Sequence, residues 1–235
     1  MSSRFDQRTG WARLMERGLG VARRREWLVG VVIALIALWI AVRWGVDRRV
    51  DLATFNIQDF PKSEAQVEGA FEAIGDLRLE LVGVQEITEP ELFRRQAKRR
   101  LGEAWGFVWP DQRVDHRVGL LYDGGVFRML GSRTHRETVV EPGAKPTLEV
   151  RLRRRGTDDV LRVFVVHLKA YSEGLEVRRR QYRALRQIVA PAEASPDRFV
   201  LLGDFNATEP EDRHLLVELS RTGGMAWRSE DLKCT

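Results

Sequence analysis

The sequence predicts an α/β domain carried behind a membrane-spanning helix. Three observations predict it. Apolar runs of strand length alternate with segments whose apolar residues recur at helical spacing, which is the pattern of α/β domains. Four of those runs end on polar side chains, at Asn56, Gln85-Glu86, His167 and Asp204-Phe205-Asn206. Near the N-terminus, Trp27 to Val42 form 16 consecutive residues without a charge, extended through Val46 to nearly the length a bilayer needs.

The totals set the bounds. A chain of 235 residues can bury a substantial core, and one domain is the simplest reading. Lys and Arg number 39 against 34 Asp and Glu, a net charge of +5, with much of the surplus before residue 50. A membrane-proximal segment accounts for a good part of that balance, so it argues only weakly for nucleic-acid binding. The single Cys234 excludes an internal disulfide framework and a cysteine-based metal site.

The predicted span runs over about residues 27–46. Trp27 and Trp44 stand where interfacial aromatics belong, and Arg43 can snorkel to the headgroups. Arg8, Arg13, Arg17, Arg23, Arg24 and Arg25 precede the span, whereas Arg43, Arg48 and Arg49 follow it, which places the N-terminus in the cytoplasm and the rest in the periplasm or outside the cell. Ala41-Val42-Arg43-Trp44 offers no small-x-small cleavage site, so the segment reads as an uncleaved signal anchor rather than a signal peptide. A buried core helix is the alternative. Trp11, Leu14, Met15 and Leu19 share one face of a basic segment that would lie on the inner leaflet. The chain thus divides into residues 1–50, basic segment and anchor, and residues 51–235, the α/β domain.

Val50 to Gln58 reads as a strand interrupted by Asn56. Ser63 and Gln66 make a capping box for a helix that buries Val67, Ala70, Phe71 and Ile74 and stops at Gly75. Leu79 to Val84 is a short strand ending in Gln85-Glu86, where Glu86 is either solvated in a loop or held for a cation. Thr88 is expected to cap a helix to about Leu101 whose Arg94, Arg95, Lys98, Arg99 and Arg100 form a solvated basic face. Between Trp105 and Leu152 the short runs GFVWP, RVGLLYD, VFRML and TLEVRL suggest an antiparallel meander, with Arg117 and Tyr122 facing a cleft or lying at a sheet edge. Val160 to Lys169 is a strand that sets His167 and Lys169 on one face. A basic helix from Leu175 to Val189 buries Tyr182, Leu185, Ile188 and Val189, and Pro191 and Pro196 punctuate the approach to the next strand. That strand, Arg198 to Leu202, exits through Gly203 so that Asp204 and Asn206 fall on one side of the loop. By themselves those residues make either a tight turn or a site. A final helix is expected from Pro210 to Leu219.

Taken in order, Phe55-Asn56-Ile57, Val84-Gln85-Glu86, Val166-His167-Leu168 and Gly203-Asp204-Phe205-Asn206 resemble the motifs of the endonuclease/exonuclease/phosphatase superfamily, the deoxyribonuclease I-like phosphoesterases. Arg117 to Tyr122 is similar to its central strand, and Lys145-Pro146 stands where the family often has a basic residue before Pro. The resemblance implies a four-layer α/β/β/α sandwich with two central mixed β-sheets. It implies catalytic roles for Asn56, Glu86, Tyr122, His167, Asp204 and Asn206, with Glu86 and Asn56 holding Mg2+ or Mn2+. Asp204 would orient the attacking water, His167 and Asn206 would donate to phosphoryl oxygens, and Tyr122 would offer its phenol. The family also has a late Asp and a terminal Ser-Asp-His-like motif. Neither precedes Thr235, and His214 stands in a different context, so the expectation is a domain truncated at its C-terminus, with an inactive remnant as the alternative. Missing strands would leave a sheet edge open.

The expected function is therefore a membrane-anchored, metal-dependent phosphoesterase, with nucleic acid as the first substrate. Phospholipids or inositol phosphates are the second substrate class, and a non-catalytic binding module is the third reading. Asn206-Ala207-Thr208 also spells a glycosylation acceptor, but a sugar there would block the site.

Overall fold

The computed structural model describes residues 49–111, 115–222 and 224–228. The expected span over residues 27–46 lies outside these residues. Among the described residues no helix is long and apolar enough to cross a membrane. The chain separates into two units, Met1–Arg49 and Val50–Thr235, and the second holds all the elements below.

Strand β1 (Leu52–Phe60) leads to helix α1 (Glu64–Asp76), strand β2 (Leu81–Ile87) and helix α2 (Pro90–Leu101). Strands β3 (Trp105–Val108), β4 (Arg117–Asp123), β5 (Phe127–His135), β6 (Thr147–Arg154) and β7 (Val160–His167) follow. Helix α3 (Leu175–Glu193), strand β8 (Arg198–Asp204) and helix α4 (Pro210–Thr222) complete the described elements. The strands form two 4-stranded mixed sheets, in the orders β1-β2-β4-β3 and β5-β6-β7-β8. Each sheet has one parallel pair, β1 with β2 and β7 with β8, and is otherwise antiparallel.

The alternation of side chains along the strands builds three cores. Leu81, Leu120, Val163, Val165 and Leu202 point between the sheets, with Phe127, Leu148 and Val150. Their neighbours Val82, Val84 and Leu121 point the other way, onto Val67, Phe71, Ile74 and Phe93 of α1 and α2. Phe164 and Val166 do the same toward Tyr182, Leu185 and Val189 of α3 and Leu219 of α4. Strands buried on both faces read as continuous apolar runs, which is why β2 and β7 stood out in the sequence. The layers are helix, sheet, sheet, helix. Gly83 sets their spacing where β2 crosses β8, since a Cβ there would lie 1.9 Å from Leu202 Cδ1.

Helix α1 is capped as expected. Ser63 Oγ accepts from Gln66 N, and Gln66 Oε1 accepts from Lys62 N rather than from the cap residue itself. Three expectations fail. The runs from Trp105 to Leu152 do not form one meander: β3 and β4 join the first sheet, β5 and β6 the second, so the chain changes sheets between Asp123 and Phe127. Thr88 does not cap α2. Its hydroxyl donates to Phe60 O, and the helix opens at Pro90, whose missing N–H is no loss in the first turn. Helix α3 continues through Pro191 to Glu193, because amphipathic burial up to Ala192 outweighs a proline so near the end.

Candidate active site

The two parallel strand pairs deliver the site. Asn56 on β1 pairs in register with Gln85 on β2, and His167 on β7 pairs with Asp204 on β8. Strands β1 and β8 pack across the sheet interface, so both pairs end at the same place. Register shifts between Asn56 and Phe60 and between Val84 and Ile87 mark bulges, which re-aim Glu86 out of the regular pleat. At Gly203 the backbone takes φ of 142°, and a Cβ would lie 2.1 Å from Val166 O, so only glycine lets β8 deliver Asp204 beside His167.

Asn56 is the hub. Its Nδ2 donates to Glu86 Oε1 at 2.9 Å and to Asp204 Oδ2 at 2.9 Å, tying together one carboxylate from each sheet. Its Oδ1 accepts from Gln58 N at 3.0 Å. The reverse orientation would set an amide oxygen against two carboxylates and an NH2 against an N–H, so the network fixes this one. Asn56 therefore presents its NH2 to the carboxylates and its carbonyl to Gln58 N. Glu86 Oε2 also accepts from Asp59 N at 3.2 Å.

His167 Nε2 lies 3.9 Å from Glu86 Oε1, and its Nδ1 is buried without a hydrogen-bond partner among the described residues. Burial lowers the imidazole pKa below its ordinary 6.5, against the opposing pull of Asp204 and Glu86, which favours the neutral ring. Asn206 N donates to Asp204 Oδ1 at 2.9 Å, and Asn206 Nδ2 donates to Leu168 O at 2.9 Å. Asn206 thus braces the loops after β7 and β8, with one of its two amide protons already engaged.

Tyr122 is not brought to this cluster. Strand β4 runs antiparallel to β2, so Arg117 stands opposite Ile87 at the site end and Tyr122 stands opposite Leu81 at the other. Its ring packs in the inter-sheet core and over Gly106, where burial raises its pKa. The polar residue that β4 contributes at the site end is Arg117, whose Nη1 donates to Thr88 O at 3.1 Å.

Asp59, Lys62 and His116 were not anticipated as site residues. Asp59 and His116 pair with one another beside Glu86, and Lys62 Nζ lies 3.1 Å from Asp59. The Lys62 and His116 hydrogen bonds hold the Asp59 carboxyl below its ordinary pKa. Lys145 Nζ donates to Asp115 O at 2.6 Å. Burial lowers its pKa, while Asp115 and Glu86 pull it up. The backbone around the cluster is unusual too: Gln58, Asp59, Glu86, His116 and Asn206 have φ between 47° and 63°. Non-glycine residues held in that region concentrate at functional sites. Single sequence positions carry no sign of such dihedrals, although a carboxylate three residues past Asn56 was visible.

Ligand atoms of Asp59, Glu86 and His116 all lie within 4.8 Å of one another. Two carboxylates and one imidazole suit a hard or borderline divalent cation, and the Asn56 and Asp59 N–H groups hold the Glu86 carboxylate in place for it.

A profile of the Endonuclease/Exonuclease/phosphatase family matches residues 53–224. The chain belongs to the endonuclease/exonuclease/phosphatase family. Members of this family are hydrolases that act on phosphoester bonds. Among solved structures, the fold is similar to D. rerio TDP2 complexed with single strand DNA product, with TM-score 0.61 and 16% identity over 72% of this chain and 65% of that one. It is also similar to the human Nocturnin catalytic domain with bound sulfate, with TM-score 0.58 and 18% identity over 72% and 70%. A mannosyl-6-phosphatase from Bacteroides thetaiotaomicron gives TM-score 0.59 and 11% identity over 72% and 71%. The chain thus spans less than two thirds of the length of the D. rerio protein. No curated protein matches it in sequence.

Proposed function

We propose that this protein is a divalent-metal-dependent phosphodiesterase of nucleic acid, held at a membrane by residues 27–46 with its α/β domain outside the cytoplasm. The observation that carries the chemical part is the convergence of Glu86 and Asp204 on the Asn56 amide, with His167 Nε2 3.9 Å from Glu86. Two carboxylates fixed this close attract a cation strongly, and a phosphodiester needs its anionic charge neutralised before water can attack. Glu86, with Asp59 and His116 alongside, would hold Mg2+ or Mn2+. Such an ion supplies Lewis-acid polarisation of the phosphate oxygens when bound. Asp204 accepts a hydrogen bond from the attacking water and orients it. His167, whose neutral form burial favours, donates its N–H to a phosphoryl oxygen, and the second amide proton of Asn206 is available to do the same. Lys145 adds a positive charge facing Glu86 at the rim.

The substrate class rests on likeness: D. rerio TDP2, similar in fold, was crystallised with single-strand DNA. The apolar run over residues 27–46 favours a second reading, a phospholipid or inositol-phosphate headgroup presented by the same bilayer. Full-length protein in detergent is assayed with Mg2+ or Mn2+ on supercoiled plasmid, sphingomyelin vesicles, phosphoinositide vesicles and a sugar phosphate. Cleavage confined to plasmid is the expected result. Turnover of vesicles alone transfers the proposal to the lipid reading, and turnover of the sugar phosphate alone replaces phosphodiesters with phosphomonoesters.

A further inference from the structure

Four residues beyond His167, in the connection from β7 to α3, Tyr171 exposes 71% of its surface. Its backbone has φ of 67° and ψ of 162°, a region that is essentially reserved for glycine. An aromatic residue there is strained, and something must hold it. The holder is Arg178 on α3, whose side chain is fully buried. Its Nη1 donates to Tyr171 O at 2.5 Å and to Lys169 O at 3.0 Å, while Nε and Nη2 form a bidentate pair with buried Asp212 on α4, at 2.8 and 2.7 Å. Gln181, also buried, accepts from Lys169 N at 2.9 Å. The backbone that leads from His167 to Tyr171 is therefore clamped from inside, and the ring at its end is left in solvent.

The Arg178 clamp offsets the strain at Tyr171 and leaves its aromatic ring in solvent four residues beyond His167. An exposed aromatic face near a phosphodiester site can stack on a nucleobase, a contact that every base can make and that costs less ordering when the backbone carrying the ring is already held. We propose that Tyr171 is a preorganised stacking platform for a base of single-stranded nucleic acid adjoining the phosphate in the site. The proposal rests on the nucleic-acid reading above. It makes the enzyme a reader of unpaired bases through ring contact, with Lys169, which pairs with Glu141 at 3.3 Å, in the same clamped segment.

The test uses full-length protein in detergent and two fluorescent single-stranded oligomers of equal length, oligothymidylate and its abasic tetrahydrofuran counterpart. Anisotropy without added metal gives Kd, and steady-state cleavage with Mg2+ gives kcat and KM. Tyr171→Ala is expected to weaken oligothymidylate binding roughly tenfold, the scale of one lost base stack, and to leave the abasic oligomer unaffected. KM should rise with kcat within about twofold. Tyr171→Phe should retain binding. Tyr171→Gly should lose base affinity while raising Tm, since it relieves the backbone. Equal weakening on both oligomers would show that the loop is merely structural and would overturn the proposal, as would unchanged oligothymidylate binding in Tyr171→Ala. A wild-type protein that cleaves both oligomers with equal KM overturns the platform alone. One that neither binds nor cleaves either oligomer overturns the nucleic-acid reading with it.

Discussion

At the scale of single residues, Asn56 is the position on which the site turns. Substitution by Ala removes the donor shared by Glu86 and Asp204, leaving two carboxylates that repel one another without a spacer. A loss of about 10²-fold or more in kcat is expected, checked by steady-state cleavage, with secondary structure unchanged by circular dichroism. His167 gives a pH signature. Its pKa is depressed in the folded protein, so the unfolded chain binds the proton more readily, and stability falls as pH drops below 6.5 through the lower folded value. Urea unfolding of wild type between about pH 7.5 and about pH 5.5 should show that loss, and His167→Gln should flatten it. Asn56, Glu86, His167, Asp204 and Asn206, which the structure brings together, were legible in the sequence because each interrupts or follows an apolar run. Tyr122 was misplaced because a strand's direction in the sheet is not written in its residues: RVGLLYD reads alike whichever end faces the site. Asp59 and His116 were missed because they read as loop residues, and left-handed backbone, which the sequence does not announce, accompanies the approach of their side chains to Glu86.

Elements carry the next set of consequences. Arg178 and Asp212 join α3 to α4 in a fully buried pair and fix the loops that follow β7 and β8. Arg178→Met leaves the buried Asp212 charge without its cation, with only the Glu209 N–H still donating to it, and should cost about 3–5 kcal/mol of stability by urea unfolding. The double change Arg178→Met with Asp212→Leu should recover much of it. Gly203→Ala would press a Cβ into the Val166 backbone and should separate β8 from β7, lowering kcat together with Tm. Helices α1 and α3 and strands β2 and β7 were readable because amphipathic or continuous apolar patterns leave little choice. The partition of β3 to β6 between two sheets was not, because antiparallel strands joined by short turns carry the same alternation whether they pair with each other or cross over.

On the scale of the whole molecule, two stacked sheets bring the ends of two parallel strand pairs together, and this places a carboxylate from each sheet on one amide. The proposed anchor over residues 27–46 predicts that the protein stays with the membrane fraction after alkaline carbonate extraction, and that replacing three of its leucines and isoleucines with Lys releases it. The central claim, that this bridged pair is a phosphodiesterase centre, is tested most directly by Mg2+-dependent nicking of supercoiled plasmid. Full-length wild type, Glu86→Ala and Asp204→Ala are compared in detergent after their folds are matched by circular dichroism. Wild type is expected to nick the plasmid, with a loss of at least about 10²-fold in each variant. Nicking that survives either substitution would contradict the claim.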